Sequence, residues 1–563
     1  MKKIINLAAV LALAFSACQN FVKNEDADNL DSLSAYKAYA MRDQSITAEN
    51  AYSNLFLDST AIEHFISKQK LDDSTARSLR NFYAVRNLQY AWFSSDGLTE
   101  QGRSFWYFYD YDKKEGVNDT LLKQLDTLAM STDTSNLSAS DSSLVQLELL
   151  LTRNFIDYSK KENALFASSM EHPVPVRKMD LMQAADSILK KTDSAKHKDN
   201  SAYSALKQHL ALYYDVAQKG GWQPVNIGAK PLSKGAKSPA VVAVKKRLQL
   251  TGDYNANDTT NLYSDSLAVA VQSFQERHGL KPTGIVNDST MQAMNVPVEK
   301  RIEQLVINLN RMAWAPVQTG ERHILVNVPD FVLRVYEAGK EVQQMEVIVG
   351  KEGTNTMMFK GDLNQVVFSP YWNLPRSIVQ NEIMPAMKKD PSYLRKNNME
   401  VVNQNDSIPQ IRQLPGKDNA LGKVKFLFPN NFDIYLHDTP HKGLFNKNDR
   451  ALSHGCIRVA NAEALAQFLL RDQKEWTPEK IRGAMNSGKE QTVKVNQPVP
   501  VLITYYTAWA DETGKLRFGR DIYGHDAETA RMLFTTAATA PGQLPASDTS
   551  SKKDSATAKR KSA

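Results

Sequence analysis

The sequence predicts a multi-domain α+β protein: a helical N-terminal domain, a small three-helix module, and a mostly-β C-terminal domain interrupted by an inserted lid. Three observations carry this. The chain has 563 residues, too many for a single hydrophobic core. Apolar residues recur at helical spacing as far as residue 297. Beyond residue 321, short β-branched runs separated by turn residues take over.

The first residues are read apart from the fold. Lys2 and Lys3 precede an apolar run from Ile4 to Phe15, and Ser16 and Ala17 set small residues before Cys18. This is the pattern of a secretory signal over 1–17. It resembles a bacterial lipoprotein signal, in which the cysteine becomes the acylated first residue, although Phe15 stands where an aliphatic residue is usual. A plain signal cleaved nearby is the alternative. No later run approaches the eighteen or so apolar residues of a membrane span. The expected location is therefore the cell envelope, facing the periplasm, with a lipid at Cys18 as the membrane anchor.

Cysteine usage sharpens the reading, because the chain has only Cys18 and Cys456. If Cys18 carries lipid, Cys456 is a lone thiol in an oxidising compartment, which marks a reactive group. An inert buried cysteine is the bland alternative. The formal charge of +7 does not survive location. Removing the +2 of Lys2 and Lys3 and the +4 of the tail 550–563 leaves +1 on the folded body. No basic footprint remains for nucleic acid.

Residues 18–45 are polar and read as a tether, and 46–225 as the helical domain. Leu144, Leu147, Leu151, Phe155 and Tyr158 fall on one helix face, and 131–143 is a Ser/Thr/Asp-rich loop. The aromatic-rich stretches 82–92 and 105–111 read as core. Residues 238–297 form the module. Ser238-Pro239 caps a first helix carrying Val241, Val244 and Leu248. Leu267, Val271, Phe274 and His278 stripe a second that stops at Gly279, and a third is capped at Asn287 or Asp288. His278 reads as packing. After a helical connector, 298–312, strands are expected at 323–328, 332–336, 342–349, 365–368, 423–428, 432–437 and 499–506 within a domain spanning 321–530. The polar stretch from about 376 to 420 reads as the lid, and 535–563 as a disordered tail.

The chemistry concentrates in Ser453-His454-Gly455-Cys456-Ile457-Arg458. A thiol is a strong nucleophile only as thiolate, which needs a base or a positive environment. His454 lies two residues before Cys456 and His437 nineteen before it, at the end of an expected strand. Gly455 permits a tight turn and leaves amides to face a developing oxyanion. A helix expected from Asn461 through Leu469 would bring its positive end toward the sulfur. His437, His441 and His454 have no ligand spacing with carboxylates, and a thiolate nucleophile needs no metal. No metal and no cofactor are expected.

These residues resemble the catalytic motif of the L,D-transpeptidases: a histidine, a spacer, then Ser-His-Gly-Cys. Tyr435-Leu436-His437-Asp438-Thr439-Pro440, Arg450-Ala451-Leu452-Ser453, Tyr371-Trp372-Asn373-Leu374-Pro375, Tyr506-Thr507-Ala508-Trp509 and Asp521-Ile522-Tyr523-Gly524 strengthen the likeness. Residues 238–295, with Leu280-Lys281-Pro282-Thr283-Gly284-Ile285-Val286, resemble the peptidoglycan-binding domain. Together they are similar to the large YkuD-type subgroup, with a helical scaffold domain and a lid.

The resemblance implies that Cys456 is the nucleophile and His437 the proton donor and acceptor, oriented by a backbone carbonyl rather than a carboxylate. His454, Gly455, Ser453, Tyr435 and Trp372 support the site. Arg458 and Arg450 hold the loop or a substrate carboxylate, and His441 is a loop residue. It further implies 3→3 cross-linking of peptidoglycan stem peptides, which serve as donor and acceptor, through a Cys acyl-enzyme that carbapenems also form. An L,D-carboxypeptidase or a wall-attachment transferase would use the same thiolate chemistry. A non-catalytic peptidoglycan-binding lipoprotein is the alternative of another class. No oligomeric state is legible.

Overall fold

The computed structural model describes residues 39–535 apart from 41, 108–127, 129–136, 162–173, 192–200, 316–321, 404–406 and 431. The signal, Cys18, most of the tether, residues 108–111 of the second aromatic stretch and all but the start of the tail lie outside the described residues. Among the described residues no helix is long and apolar enough to cross a membrane.

The helical region opens with α1 (Ser59–Gln69) and α2 (Asp73–Ala84), each begun by an aspartate, Asp58 and Asp72, whose carboxylate accepts from first-turn amides. After the short α3 (Glu100–Phe105), α4 (Ser142–Lys161) buries Leu144, Leu147, Leu151 and Phe155. Next come α5 (Leu181–Lys190) and α6 (Ser201–Gln218). The described aromatic residues Tyr83, Tyr90, Trp92, Phe105, Trp106 and Tyr107 are core, as expected. Trp92 lies 5.3 Å from Phe105 and 5.4 Å from Phe155, ring centroid to centroid. Such pairs add about 0.5–1.5 kcal/mol each beyond the area they bury.

The module is α7 (Pro239–Leu250), α8 (Asp265–Arg277) and α9 (Asp288–Asn295), capped by Ser238, Ser264 and Asn287. Gly279 takes the left-handed conformation (φ 64°) that ends α8. The module has its own apolar cluster around Val241, Val244, Leu248, Val271 and Phe274. His278 stacks on Phe274 at 3.9 Å and faces Phe518 of the C-terminal region at 5.2 Å, so its packing also joins the module to its neighbour.

The connector is α10 (Val298–Trp314). Nine strands follow in one mixed sheet: β1 (Arg322–Asn327), β2 (Val332–Glu337), β3 (Lys340–Gly350), β4 (Phe359–Phe368), β5 (Val424–Leu427), β6 (Leu436–His437), β7 (Ala451–Ser453), β8 (Ile457–Val459) and β9 (Gln491–Thr504). The order is β7-β3-β8-β6-β5-β4-β9-β1-β2, and β2 also pairs with β3, so the sheet closes on itself. Parallel pairs are β6–β8, β1–β9 and β3–β7. Helices α11 (Ala462–Leu470), α12 (Pro478–Met485) and α13 (His525–Leu533) complete the region.

Several strands differ from expectation. β4 and β9 are longer: Lys360, Gly361 and Asp362 look like a break but pair with Leu502, Val501 and Pro500, and Asn496-Gln497-Pro498 falls in an unpaired register shift between Lys494 and Val499, where Pro498 has no ladder bond to give. The expected strand 432–437 shrinks to Leu436–His437. The Asn430 side chain accepts from the amides of Phe432 and Ile434 and donates to the carbonyls of Phe428 and Ile434, taking bonds a ladder would use.

Chain length argued for separate cores, yet one apolar cluster runs from Tyr52 through the sheet to Phe534. The reason is α10, whose Trp314 lies 6.5 Å from Trp92 while its length packs against α5 and α6 on the N-terminal side of the chain and against α13 and the strand Ala508–Ala510 on the C-terminal side. A buried polar junction reinforces it. Arg311 of α10 meets Glu100 of α3 at 3.1 Å and Asp526 of α13 at 2.5 Å, and Arg103 meets Glu528 at 3.0 Å. The stretch 372–413 forms its own small unit. A three-stranded sheet (Trp372–Asn373, Met399–Asn403, Gln410–Gln413) and short helices enclose a cluster of Leu374, Ile378, Val379, Ile383 and Ile411.

Candidate active site

The site forms where β6 and β8 run side by side. Their parallel register sets Leu436 beside Ile457 and His437 beside Arg458. Side chains alternate along a strand. Leu436 and Ile457 are fully buried in the core, so Tyr435, His437, Cys456 and Arg458 share the other face. The Tyr435 and His437 rings lie 5.7 Å apart.

The thiol of Cys456 is half-buried and donates to the Asp433 carbonyl at 3.5 Å, not to His437. Asp433 holds that carbonyl in place with a left-handed backbone (φ 52°). Tyr435 lies near enough to the sulfur to favour its charged form, and Trp372 acts on Tyr435 in the same sense. Burial pushes the Cys456 thiol up, opposed by the Tyr435 donors and more weakly by the Arg458 charge. Burial and the same guanidinium hold His437 down, to about 4. His437 is 4% exposed, and its Nδ1 lies 2.6 Å from the Asp438 carbonyl. A carbonyl only accepts, so Nδ1 carries the proton and Nε2 keeps its lone pair. The resting pair at neutral pH is thus a thiol and a neutral imidazole.

The turn before the sulfur is closed from both sides. The Ser453 hydroxyl donates to the Cys456 carbonyl at 2.6 Å and accepts from the Gly455 amide at 3.2 Å. The segment after β3 wraps around it. Lys351 N–H and the Thr354 hydroxyl reach the Ser453 carbonyl, and the Thr356 hydroxyl reaches the Gly455 carbonyl at 2.7 Å. Gly455 adopts φ 113°, a conformation that excludes other residues without strain.

Two expectations need correcting. The Gly455 amide is not free to face an oxyanion, because Ser453 occupies it. The Cys456 amide is the one that meets no acceptor among the described residues. Nor does a helix N-terminus approach the sulfur. α11 does begin as expected after its cap Asn461, but β8 lies between it and Cys456 and carries the chain away from the turn.

The remaining residues divide. Arg450 is structural, since its guanidinium donates to the carbonyls of Val347, Lys447 and Phe331. Arg458 keeps a buried Nε without an acceptor among the described residues, beside Cys456 and His437. His454 is exposed and turns away to Glu382 of the inserted unit at 3.1 Å. His441 is exposed where a short 3-10 turn begins. Clefts of about 380 Å³ beside α1 and α4 and about 300 Å³ in the inserted unit are not lined by Cys456 or His437. Sequence reasoning missed Thr356, Asp433 and Glu382, which belong to no motif and are brought in only by folding.

Comparison with known proteins shows what each region resembles. Residues 321–503 match the model of the "L,D-transpeptidase catalytic domain". The chain carries an L,D-transpeptidase catalytic domain. Residues 77–210 match the "Scaffold domain" and 237–294 the "Putative peptidoglycan binding domain". A Haemophilus influenzae relative named "Putative L,D-transpeptidase" is 33% identical over 254 residues, 42% of this chain and 51% of that protein. The chain thus spans about half the length of that curated relative. Among solved structures, an L,D-transpeptidase from Stackebrandtia nassauensis is 13% identical over 49% of this chain and 97% of its own, with a TM-score of 0.20. One from Mycobacterium smegmatis is 12% identical over 33% of this chain and 58% of its own, with a TM-score of 0.19.

Proposed function

We propose that the protein is an L,D-transpeptidase that joins peptidoglycan stem peptides 3→3 through an acyl-enzyme on Cys456, at the cell envelope and anchored by lipid at Cys18. The carrying observation is the shared face of β6 and β8, where a thiol, a neutral buried imidazole and a guanidinium whose Nε meets no acceptor among the described residues lie together.

The geometry gives each group its task. His437 Nε2 takes the Cys456 proton as the sulfur attacks the carbonyl of the third, diaminopimelate residue of a tetrapeptide stem. The Tyr435 hydroxyl stabilises the sulfur as it gains charge. The Cys456 amide faces the oxyanion. The carbon–nitrogen bond to D-alanine then breaks, and the leaving amine takes the proton from His437. The side-chain amine of a second stem attacks the thioester and gives its proton to His437, the carbon–sulfur bond breaks, and the departing sulfur takes that proton to restore the thiol. Arg458 supplies a positive partner for a substrate carboxylate. The inserted unit reaches the turn through Glu382–His454 and neighbours Tyr435 through Trp372, and would exclude water in favour of the amine.

The test is incubation of the purified protein with disaccharide-tetrapeptide and mass spectrometry of the products. A dimer lacking one D-alanine is expected from the wild type and none from Cys456→Ala. Tripeptide alone would indicate an L,D-carboxypeptidase, and unchanged substrate a binding protein.

A further inference from the structure

We propose that Thr356 and Tyr523 are positioning residues that aim the Cys456 amide at the reacting carbonyl oxygen. The inference rests on the proposed acyl transfer at Cys456 and adds to it the part of the chain that sets the oxyanion donor.

The peptide joining Gly455 to Cys456 is planar and trans, as are all the described peptides, so its carbonyl and its N–H point in opposite directions. The Thr356 hydroxyl donates to that carbonyl at 2.7 Å. Fixing the carbonyl therefore fixes the Cys456 N–H, an amide of this turn that meets no acceptor among the described residues. Thr356 has little freedom of its own. Its Oγ1 also accepts from the Gly350 amide at 2.9 Å, and as a β-branched residue it holds few side-chain rotamers.

Tyr523 stands behind it. Its hydroxyl accepts from the Thr356 amide at 3.2 Å and donates to the Gly350 carbonyl at 2.7 Å, clamping both ends of the segment 350–356. That segment folds back so closely on Gly350 that a Cβ there would lie 2.8 Å from the Thr356 nitrogen. Tyr523 is itself held, because its amide donates to the Tyr505 hydroxyl, which donates to Asp521, each at 2.8 Å. The catalytic turn is thereby tied to the segment just before α13, the helix that carries the Arg311 and Arg103 junction.

Two electrophiles separate this role from mere support. A carbapenem acylates a thiol through a tetrahedral oxyanion, whereas iodoacetamide alkylates it by direct displacement and forms none. Stopped-flow acylation and timed alkylation would be measured on the full chain for the wild type, Thr356→Val, Thr356→Ser, Tyr523→Phe and Cys456→Ala. Thr356→Val should lower the limiting acylation rate by about 10- to 100-fold, somewhat less than outright deletion of an oxyanion donor. The half-saturating carbapenem concentration and the alkylation rate should stay as in the wild type. Tyr523→Phe should fall in between, and Thr356→Ser, which keeps the hydroxyl, should restore acylation. Wild-type acylation by Thr356→Val would overturn the inference. So would parallel loss of acylation and alkylation, which would mean that the turn as a whole had moved. Adduct formation by Cys456→Ala at the wild-type rate would instead overturn the functional reading beneath it.

Discussion

The buried imidazole makes a prediction that links stability to catalysis. Burial and the Arg458 charge lower His437 from an ordinary value near 6.5 to about 4. Between those two values the unfolded chain binds a proton that the folded chain refuses, so stability rises with pH there. The contribution is whole above about pH 6.5, shrinks as pH falls, and is gone below about pH 4. At about 1.4 kcal/mol for each pH unit of difference, the loss on acidification is about 3 kcal/mol. Because other groups titrate over the same range, among them Glu148, which burial raises to about 7, the wild type is compared with His437→Gln by denaturation at pH 7 and pH 4. His437→Gln, which has nothing to titrate, should lose about 3 kcal/mol less over the same interval. Acylation should follow the same group. The acidic limb of the second-order acylation rate should fall near pH 4, with activity still undiminished at pH 5.5. His437→Ala should lower the rate at pH 7 by about 10²–10⁴-fold. A limb near pH 6.5, or identical pH-dependence of stability in wild type and His437→Gln, would refute the reasoning.

Three further outcomes are expected. His454→Ser should acylate within about tenfold of wild type by stopped-flow, far from the 10²–10⁴-fold cost of losing a base, because His454 faces Glu382 rather than the sulfur. Arg311→Ala strands Glu100 and Asp526 inside the protein and should cost about 3–5 kcal/mol in chemical denaturation, with helical and sheet regions unfolding together because they share a core. Cys18→Ser should move the protein from the membrane to the soluble envelope fraction, and intact mass should show no acyl chain.

What the sequence made legible follows from what the chemistry requires of residue type. A nucleophilic sulfur is a rare group, so residue type draws attention to Cys456, whereas the preference for His437 over His454 comes from the resemblance to the L,D-transpeptidases and not from spacing alone. The stripes of α4, α7 and α8 are readable in the same way, because helical burial repeats with a fixed period. The shared core is not. The apolar face of α10 looks the same whether it covers one body or two, although Arg311, a charge within that buried face, is a signal that a paired carboxylate must come from elsewhere. The local errors have one cause. At Asn430 a side chain takes over main-chain bonds, and at Ser453 a hydroxyl occupies the Gly455 amide expected for an oxyanion. In both places the decisive bond runs to a backbone group, which every residue possesses and which therefore leaves no mark in the sequence. The same holds for the Asp438 carbonyl that sets the tautomer of His437, and for the Gly455 carbonyl that meets Thr356. Reactive groups at such a site are thus written in residue types, while their aim is set by main-chain contacts across as many as 173 residues of chain. Substitution of the partners of those carbonyls and amides, rather than of the reactive groups, is therefore what separates aim from chemistry.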